Sequence, residues 1–274
     1  MTLKHLLVHV DSAARAEERL DLAVAMARRA GARLTGLFAE LEALGPSLVG
    51  RRSREDVSRA AAQARATFEA RARAGGLATD WWQVEQGDRA EVVGAAAICC
   101  RYVDLAVLGQ HDAANSRSPE DLVEEVLFGC GRPVLVVPSV GHYPVVGKRV
   151  AVAWNGSQES ARAVNDALPL LQDAESITVL AFQKPSTGAG PGPIPPVDIV
   201  AHLAAHGLAA RYERILVGVG EVDFADTVLN RSFDLQADLV VMGAHAEHRF
   251  GSTRAGENTR RILGSMTTPV LLSH

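Results

Sequence analysis

The stretch Asp238-Leu-Val-Val-Met-Gly243 is a short apolar run that starts at an acidic residue and ends at a glycine. The same pattern occurs 134 residues earlier, as Asp104-Leu-Ala-Val-Leu-Gly109. An unbroken aliphatic run between turn residues is typical of a strand that is buried on both faces of a parallel sheet. The two stretches therefore predict two equivalent central strands, one in each half of the chain.

Strands and helices alternate around both stretches in the same order. In the first half we predict strands at residues 3–10, 33–40, 78–85, 104–109 and 133–137, and helices at 16–30, 54–74 and 88–100, with a fourth helix starting at Ser118-Pro119-Glu120. In the second half we predict strands at 149–154, 176–182, 209–217, 238–243 and 269–272, and helices at 159–170, 197–206 and 221–235, with a Pro/Gly-rich loop at 183–196.

The two halves also correspond in their other motifs. Arg132-Pro-Val-Leu135 returns as Thr268-Pro-Val-Leu271 after 136 residues, and Asp11-Ser12 corresponds to the turn at Asn155 after about 144. A period this long indicates two domains rather than a solenoid. We predict two tandem Rossmann-like α/β domains, residues 1–140 and 147–274, each a five-stranded parallel sheet with helices on both faces. One sheet without any division between the units would contradict this prediction.

Ligands of such sheets bind outside the carboxyl ends of the strands, where the strand order reverses. That rule indicates the turns at Asp11 and Asn155 and the loops that follow Gly109 and Gly243. The loop after Gly243 is rich in Arg and His, and Gly256 then starts a helix. Because the first N–H groups of a helix are free, this segment is a plausible phosphate cradle.

The composition excludes several classes of protein. The chain has 274 residues, a formal net charge of -4 and 47% hydrophobic residues, which argues against a general binder of nucleic acid or anionic membranes and against disorder. The longest apolar run, residues 92–100, is about half of a membrane span. Three cysteines do not make a disulfide framework, and the first residues do not read as a signal peptide. We expect a cytoplasmic protein.

Motifs that carry chemistry are mostly missing. The sequence has no phosphate-binding P-loop and no G-x-S-x-G elbow, and Val217-Gly-Val-Gly220 lacks the third glycine of a dinucleotide fingerprint. His202 and His206 lie four residues apart on a predicted helix, and His245 and His248 lie in the loop after strand four. We interpret both pairs as ordinary histidines rather than metal ligands. Cys130, between two glycines, is the better candidate for a reactive thiol. We predict no catalytic residues and no metal.

In combination, several motifs of the chain resemble a tandem universal stress protein made of two UspA-type domains. These motifs are Leu6-Leu-Val-His-Val-Asp11, Asp104 to Gly109, Pro119-Glu-Asp121 with Gly131-Arg-Pro-Val-Leu135, Ala153-Trp-Asn-Gly-Ser157, and Gly243 to Gly256 with the C-terminal Thr268-Pro-Val-Leu-Leu-Ser-His274. The resemblance implies a five-stranded parallel sheet in each domain. It also implies that the two domains pair through their fifth strands as an internal pseudo-dimer.

ATP-binding members of that family carry G-x2-G-x9-G-[ST] after strand four and an acidic residue at the end of strand one. The second half keeps Gly243 and Gly256, but it has Ala246 and Glu257 at the other two motif positions. Asn155 stands at the position of the acid. Like charges about 4 Å apart cost about 1 kcal/mol in water and about 4 near a protein surface, so Glu257 would repel a triphosphate.

The first half departs further from the motif. Asp11 and Gly109 are kept as vestiges, but Gln110-His-Asp112 follows the glycine, and the helix with Glu120, Asp121, Glu124 and Glu125 would repel phosphate. In the second half Arg249, Arg254 and Arg260 could compensate for Glu257, and Thr259 falls near a hydroxyl that meets phosphate in the family. Any adenine nucleotide is therefore expected in the second half.

The candidate ligand residues lie at the strand ends and the glycine loop of the second half. They are Ala153, Trp154, Asn155, Ser157, Met242, Gly243, His245, Arg249, Arg254, Gly256, Asn258 and Thr259. Two functions stay open. The first is a non-enzymatic stress-response protein that binds a protein partner or a small molecule and can form a homodimer of the tandem chain. The second is an ATP-binding protein with, at most, slow hydrolysis or a nucleotide switch.

Overall fold

The computed structural model describes residues 2–13, 15–41, 54–84, 88–112, 117–183, 198–216, 223–249 and 252–274. The first half contains β1 (His5–His9), α1 (Ala16–Ala30), β2 (Arg33–Phe38), α2 (Arg54–Ala74), β3 (Thr79–Gln83), α3 (Arg89–Cys100), β4 (Leu105–Gly109), α4 (Leu122–Cys130) and β5 (Val134–Val137). The second half contains β6 (Arg149–Trp154), α5 (Gln158–Leu171), β7 (Ser176–Gln183), α6 (Ile199–Ala205), β8 (Arg211–Leu216), α7 (Phe224–Asp234), β9 (Leu239–Gly243), β10 (Ala246–Arg249), β11 (Ser252–Ala255), α8 (Glu257–Ser265) and β12 (Val270–Ser273).

Ten strands form one hydrogen-bonded sheet in the order β3-β2-β1-β4-β5-β12-β9-β6-β7-β8. The order of the second half mirrors that of the first. In this sheet every strand pair within a half is parallel, and the pair of β5 and β12, with Leu135 opposite Leu271, is antiparallel. The sheet is thus continuous, but the reversal of strand direction divides it into two five-stranded parallel units. The predicted α/β fold class is confirmed.

The register of the strands reproduces the sequence repeat. Leu6 of β1 pairs with Leu105 of β4, and Val150 of β6 pairs with Leu239 of β9. The two pairs are related by the same shifts, 144 and 134 residues, that relate the sequence motifs. Equivalent positions in the two halves can therefore be compared residue by residue along the first strand and the helix that follows it.

Helices cover both faces of the sheet, which explains the unbroken apolar strands. On β1, Leu6 and Val8 pack into the core beneath α1 and α2, whereas Leu7 packs into the core beneath α3 and α4. All three side chains are fully buried. Since alternate residues of a strand point to opposite faces, a sheet that is covered twice needs apolar residues at every position.

Most predicted boundaries agree with the structure to within two or three residues. Helices α1 and α2 span the predicted ranges, and Asp88 caps α3 in a capping box with Glu91. The predicted start of α4 at Ser118 is wrong: Pro119 accepts the Leu122 N–H at 3.1 Å in a preceding turn, and the helix begins at Leu122.

The Arg- and His-rich loop after Gly243 is also different from the prediction. It forms the two-stranded antiparallel hairpin β10–β11, which is separate from the main sheet. Gln183, the first residue of the loop predicted at 183–196, is the last residue of β7. The rest of that loop and the glycine pair in 217–220 lie outside the described residues.

Candidate functional site

The turn after β6 is held by its own side chains. The Asn155 Oδ1 atom accepts the Ser157 N–H at 3.0 Å, and the Ser157 hydroxyl caps α5 by accepting the Ser160 N–H at 3.2 Å. Gly156 between them has a φ of +74°, which favours glycine. Two of the predicted ligand side chains are thus used to start a helix.

Helix α5 lies directly against the end of β9. A Cβ atom at Gly243 would overlap the Glu159 carbonyl carbon and the Ser160 nitrogen, and would lie 2.7 Å from the Glu159 Cβ. The first turn of α5 therefore occupies the space in front of this glycine. Gly243 is required for helix-to-strand packing, whether or not a ligand approaches it.

An acidic side chain stands at the same edge of the sheet. The Glu159 carboxylate lies 3.6 Å from the Nδ1 atom of His245, the predicted site residue that follows β9. The pKa of Glu159 lies below its ordinary value, first because the carboxylate accepts its own backbone N–H and then the Ser157 hydroxyl, with His245 adding to the effect. Near neutral pH this part of the crevice therefore carries a negative charge.

Gly256 links the hairpin to α8 as the N-cap residue of that helix, as predicted. Its N–H donates to the His245 carbonyl at 2.9 Å, which closes the base of the hairpin. A Cβ at Gly256 would lie 3.4 Å from the Glu247 carboxylate. The helix start that was expected to hold phosphate thus has a carboxylate of the chain beside it.

A second carboxylate reaches this place from the first half of the chain. Glu124 of α4 accepts the N–H of Ala255, the residue before Gly256, at 3.1 Å. A carboxylate that accepts a backbone N–H here makes the kind of contact that a phosphate oxygen would make. The N–H of Ala255 is therefore already bonded within the chain.

Two of the arginines proposed to compensate for Glu257 lie in a mixed-charge pocket between the halves. The pocket has a volume of about 340 Å³ and is lined by Arg89, Glu120, Asp121, Glu124, Glu125, Arg254 and Arg260. Arg260 also donates to the Ala255 carbonyl at 3.0 Å. The positive charges of Arg254 and Arg260 thus share a pocket with four carboxylates, and the Arg249 side chain lies outside the described structure.

The other predicted ligand residues of the second half differ in exposure. Asn258 and Glu257 are exposed in the first turn of α8, whereas Thr259 is only 3% exposed. Ala153 and Met242 are buried in the sheet, and Trp154 is half-buried at the end of β6. The strand ends thus meet at one edge as expected, but the Thr259 hydroxyl does not face solvent.

In the first half a buried ion pair fills the equivalent crevice. Arg19 of α1 donates to the Asp11 carboxylate at 2.9 Å and to the His9 carbonyl at 2.7 Å, and the Ser118 hydroxyl donates to Asp11 at 3.2 Å. A Cβ at Gly109 would overlap the Arg19 guanidinium. Arg19 therefore covers the glycine where a ligand would lie.

Burial and charge act in opposite directions on this cluster. Burial alone would raise the pKa of Asp11, but the positive charge and hydrogen bond of Arg19 outweigh it and hold the pKa at about 2. The pKa of His9 lies below its ordinary value because burial disfavours the cation, although Asp11 opposes the shift. His9 is thus neutral at neutral pH, and its Nε2–H donates to the Ala39 carbonyl at 3.0 Å.

Sequence reasoning did not name Arg19 or Glu159 as site residues, and it placed Glu124 among the acidic residues of the first half without its contact to the second. A signal for Arg19 was present, because it lies four residues before Ala23 on the apolar face of α1. Glu124 had no such signal, since its contact with Ala255 joins residues 131 positions apart.

The described residues contain no group of three or more His, Cys, Asp and Glu side chains that could hold a metal ion. None of the described helices is long and apolar enough to cross a membrane. Cys130, the candidate thiol, is buried, and burial raises its pKa above the ordinary value. A thiol of this kind is less reactive than a free cysteine.

Comparison with known proteins identifies the second half. Residues 147–274 match the Universal stress protein family, so this part of the chain is a universal stress protein domain. A universal stress protein from Archaeoglobus fulgidus DSM 4304 has a TM-score of 0.69 at 14% identity, with 98% of this chain and 97% of that chain covered. A functionally unknown protein from Pseudomonas aeruginosa PAO1 has a TM-score of 0.61 at 15% identity, with 99% and 92% covered. These structures share the fold of the whole chain, and no curated protein matches it.

Proposed function

Since residues 147–274 match the Universal stress protein family, we propose that the whole chain is a tandem of two such domains, residues 1–140 and 147–274. The mirrored strand order and the antiparallel pairing of the two fifth strands support this proposal. The tandem acts in the cytoplasm as a non-enzymatic stress-response protein that binds a partner or a small ligand.

The contact between Glu124 and the Ala255 N–H carries the argument against a nucleotide function. It places a carboxylate of the first half beside the helix start that the nucleotide motif would use. Glu247 and Glu257 add two more negative charges to the same region. A triphosphate would have to displace or tolerate these charges, each of which costs about 1–4 kcal/mol at about 4 Å.

The alternative function is ATP binding in the second half. The feature that favours it is Gly256, which keeps the family spacing from Gly243 and stands at the N-cap of α8. A helix start of this kind attracts anions. Binding would then serve a nucleotide switch or a slow hydrolysis.

Titration calorimetry of the full chain with ATP, with and without Mg²⁺, separates the two functions. We expect no heat of binding at about millimolar nucleotide, which corresponds to a binding free energy weaker than about 4 kcal/mol. Micromolar binding by the natural protein would overturn the proposal in favour of the alternative.

Two variants test the charge argument itself. If nucleotide binding is measurable, Glu124→Gln and Glu257→Ser should each tighten it by about fivefold or more, because about 1 kcal/mol of repulsion is removed. Glu69→Gln on the solvent-facing side of α2, where the carboxylate pairs with Arg65, is the matched control for the loss of one negative charge and should leave nucleotide binding unchanged. Unchanged or weaker binding by both site variants would refute the repulsion.

A further inference from the structure

Each half of the chain contains a cleft between its first and second helices. The first-half cleft, about 230 Å³, lies between α2 and the segment from the end of β1 into α1, and its lining includes Val10, Ser12, Glu17 and Leu20. The second-half cleft, about 460 Å³, is lined by Trp154, Gly156, Ala161, Val164, Asn165, Asp198, Ile199 and His202. Four lining positions correspond at the 144-residue shift, namely Val10/Trp154, Ser12/Gly156, Glu17/Ala161 and Leu20/Val164. The two clefts therefore lie at equivalent positions of the two halves.

The second-half cleft has twice the volume of the other and a different wall. Replacement of Glu17 by Ala161 and of Leu20 by Val164 removes side-chain volume, and Trp154 contributes an aromatic surface. Apolar walls with a few placed polar groups are typical of sites for small molecules. This cleft lies between α5 and α6, whereas the glycine hairpin lies beyond β9.

Three polar side chains line this space, those of Asp198, Asn165 and His202. The Asp198 carboxylate accepts one N–H of α6, from Val200 at 2.8 Å, and keeps further acceptor capacity. One N–H of the Asn165 amide donates to the Ala161 carbonyl at 2.8 Å, which leaves the amide oxygen and the second N–H for other partners. The Nε2 atom of His202 is buried and has no hydrogen-bond partner within the described part of the chain. A buried nitrogen without a partner in the protein can form a hydrogen bond with a group of a ligand.

The charged residues of the cleft lining indicate which chemical class of ligand it can bind. Asp198 is the only carboxylate in the described lining, and that lining contains no Lys or Arg. The carboxylate of Asp198, the amide oxygen of Asn165 and the indole of Trp154 suit an ammonium group, which carries three donors and is attracted to aromatic rings. The same wall disfavours phosphates and carboxylates.

We propose that the cleft between α5 and α6 binds a small primary amine with an apolar or aromatic body. The ammonium group lies among Asp198, Asn165 and His202, and the body lies against Trp154 and Val164. This inference rests on the proposed binding function, but the described lining of the cleft contains no residue of the glycine hairpin. ATP calorimetry tests the hairpin and an amine titration tests the cleft, so either result can fail alone.

The test uses 2-phenylethylamine as the probe and 3-phenylpropanoate as its anionic counterpart, with the ¹⁵N-labelled full chain. The indole N–H signal of Trp154, assigned with Trp154→Phe, reports on the cleft in two-dimensional NMR. We expect a saturable shift with the amine at a Kd of about 1 mM, as suits a fragment of this size, and a response to the acid at least about tenfold weaker. No saturable shift up to about 10 mM amine, or equal responses to both probes, would overturn the proposal.

Three variants locate the binding. Ala161→Phe fills the second-half cleft and should weaken amine binding at least about tenfold, whereas Glu17→Phe at the matched position of the first-half cleft should leave it within about twofold. Asp198→Asn keeps a good helix cap but removes the charge, so the preference for the amine over the acid should fall about tenfold. Circular dichroism checks that each variant is folded. Binding that survives Ala161→Phe in a folded protein would place the amine elsewhere.

Discussion

The buried pair of Arg19 and Asp11 gives the sharpest prediction about the first half. Both residues are nearly inaccessible, with 4% and 8% of their surface exposed. Arg19→Met keeps much of the side-chain volume but leaves the Asp11 carboxylate buried without its cation. Loss of one partner of a buried ion pair typically costs about 3–5 kcal/mol, so we expect the free energy of unfolding at pH 7 to fall by that amount.

The pH dependence follows from the lowered pKa of Asp11. The pKa rises from about 2 in the folded state to 3.8 when the group is freed, which corresponds to about 2.5 kcal/mol of stability. Because the folded pKa is the lower one, this contribution is complete above about pH 5 and is lost as the pH falls from about 4 to about 2. The Arg19→Met variant should lack most of this acid-dependent loss.

Urea unfolding of both forms at pH 7 and pH 3 measures the effect, with Trp81 and Trp82 of β3 as fluorescent reporters in the first half. The control is the double variant Asp11→Asn with Arg19→Met, which removes both charges. The equivalent positions of the second half, 144 residues later, also hold neutral residues, namely Asn155 and Ala163. The double variant should be more stable than Arg19→Met alone. If the loss of stability in the double variant equals the sum of the losses caused by Arg19→Met alone and by Asp11→Asn alone, the pair is not coupled and the reasoning fails.

Two further outcomes follow from packing and burial. Gly243→Ala should lower the free energy of unfolding by at least about 1–3 kcal/mol, because its Cβ would overlap the backbone of α5. Gly94→Ala on α3, which has open space around it, should raise the free energy of unfolding by about 0.5–1 kcal/mol. Thermal unfolding compares the two variants, and equal effects would contradict the packing argument. Burial raises the pKa of Cys100 well above its ordinary value and that of half-buried Cys99 to a lesser degree, so iodoacetamide should label Cys99 first in the folded protein, as peptide mass spectrometry can show. Faster labelling of Cys100 would mean that α3 opens.

The repeated pattern of the strands carried enough information to predict the fold. Helix α1 was predicted because its apolar residues recur at helical spacing and end at Gly31, which adopts the left-handed conformation with a φ of +60°. The start of α4 was misplaced because Pro119 suits a first helical position, while the chain uses it in a turn instead. The hairpin β10–β11 was missed because its residues are mostly polar or charged and show no apolar alternation.

The candidate site was harder to predict than the fold. Asn155, Ser157 and Gly243 were found at the expected edge, but their local roles in a turn, a cap and a helix contact depend on how closely α5 approaches β9. The Glu124 contact depends on how the two halves pack together. Sequence periodicity determines which face of a helix is buried, but it does not determine which side chain from a distant helix reaches a given N–H.

In both halves, side chains of the chain itself lie in the crevice at the strand ends. The cost of substituting these side chains differs between the two halves. In the first half, Arg19 cannot be removed without leaving a buried carboxylate, so no single substitution opens that crevice at low cost. In the second half the equivalent positions are neutral, and the obstacles are the carboxylates of Glu124, Glu159 and Glu257, none of which is deeply buried. Exposed charges can be removed with little loss of stability. A nucleotide site is therefore accessible by few substitutions only in the second half.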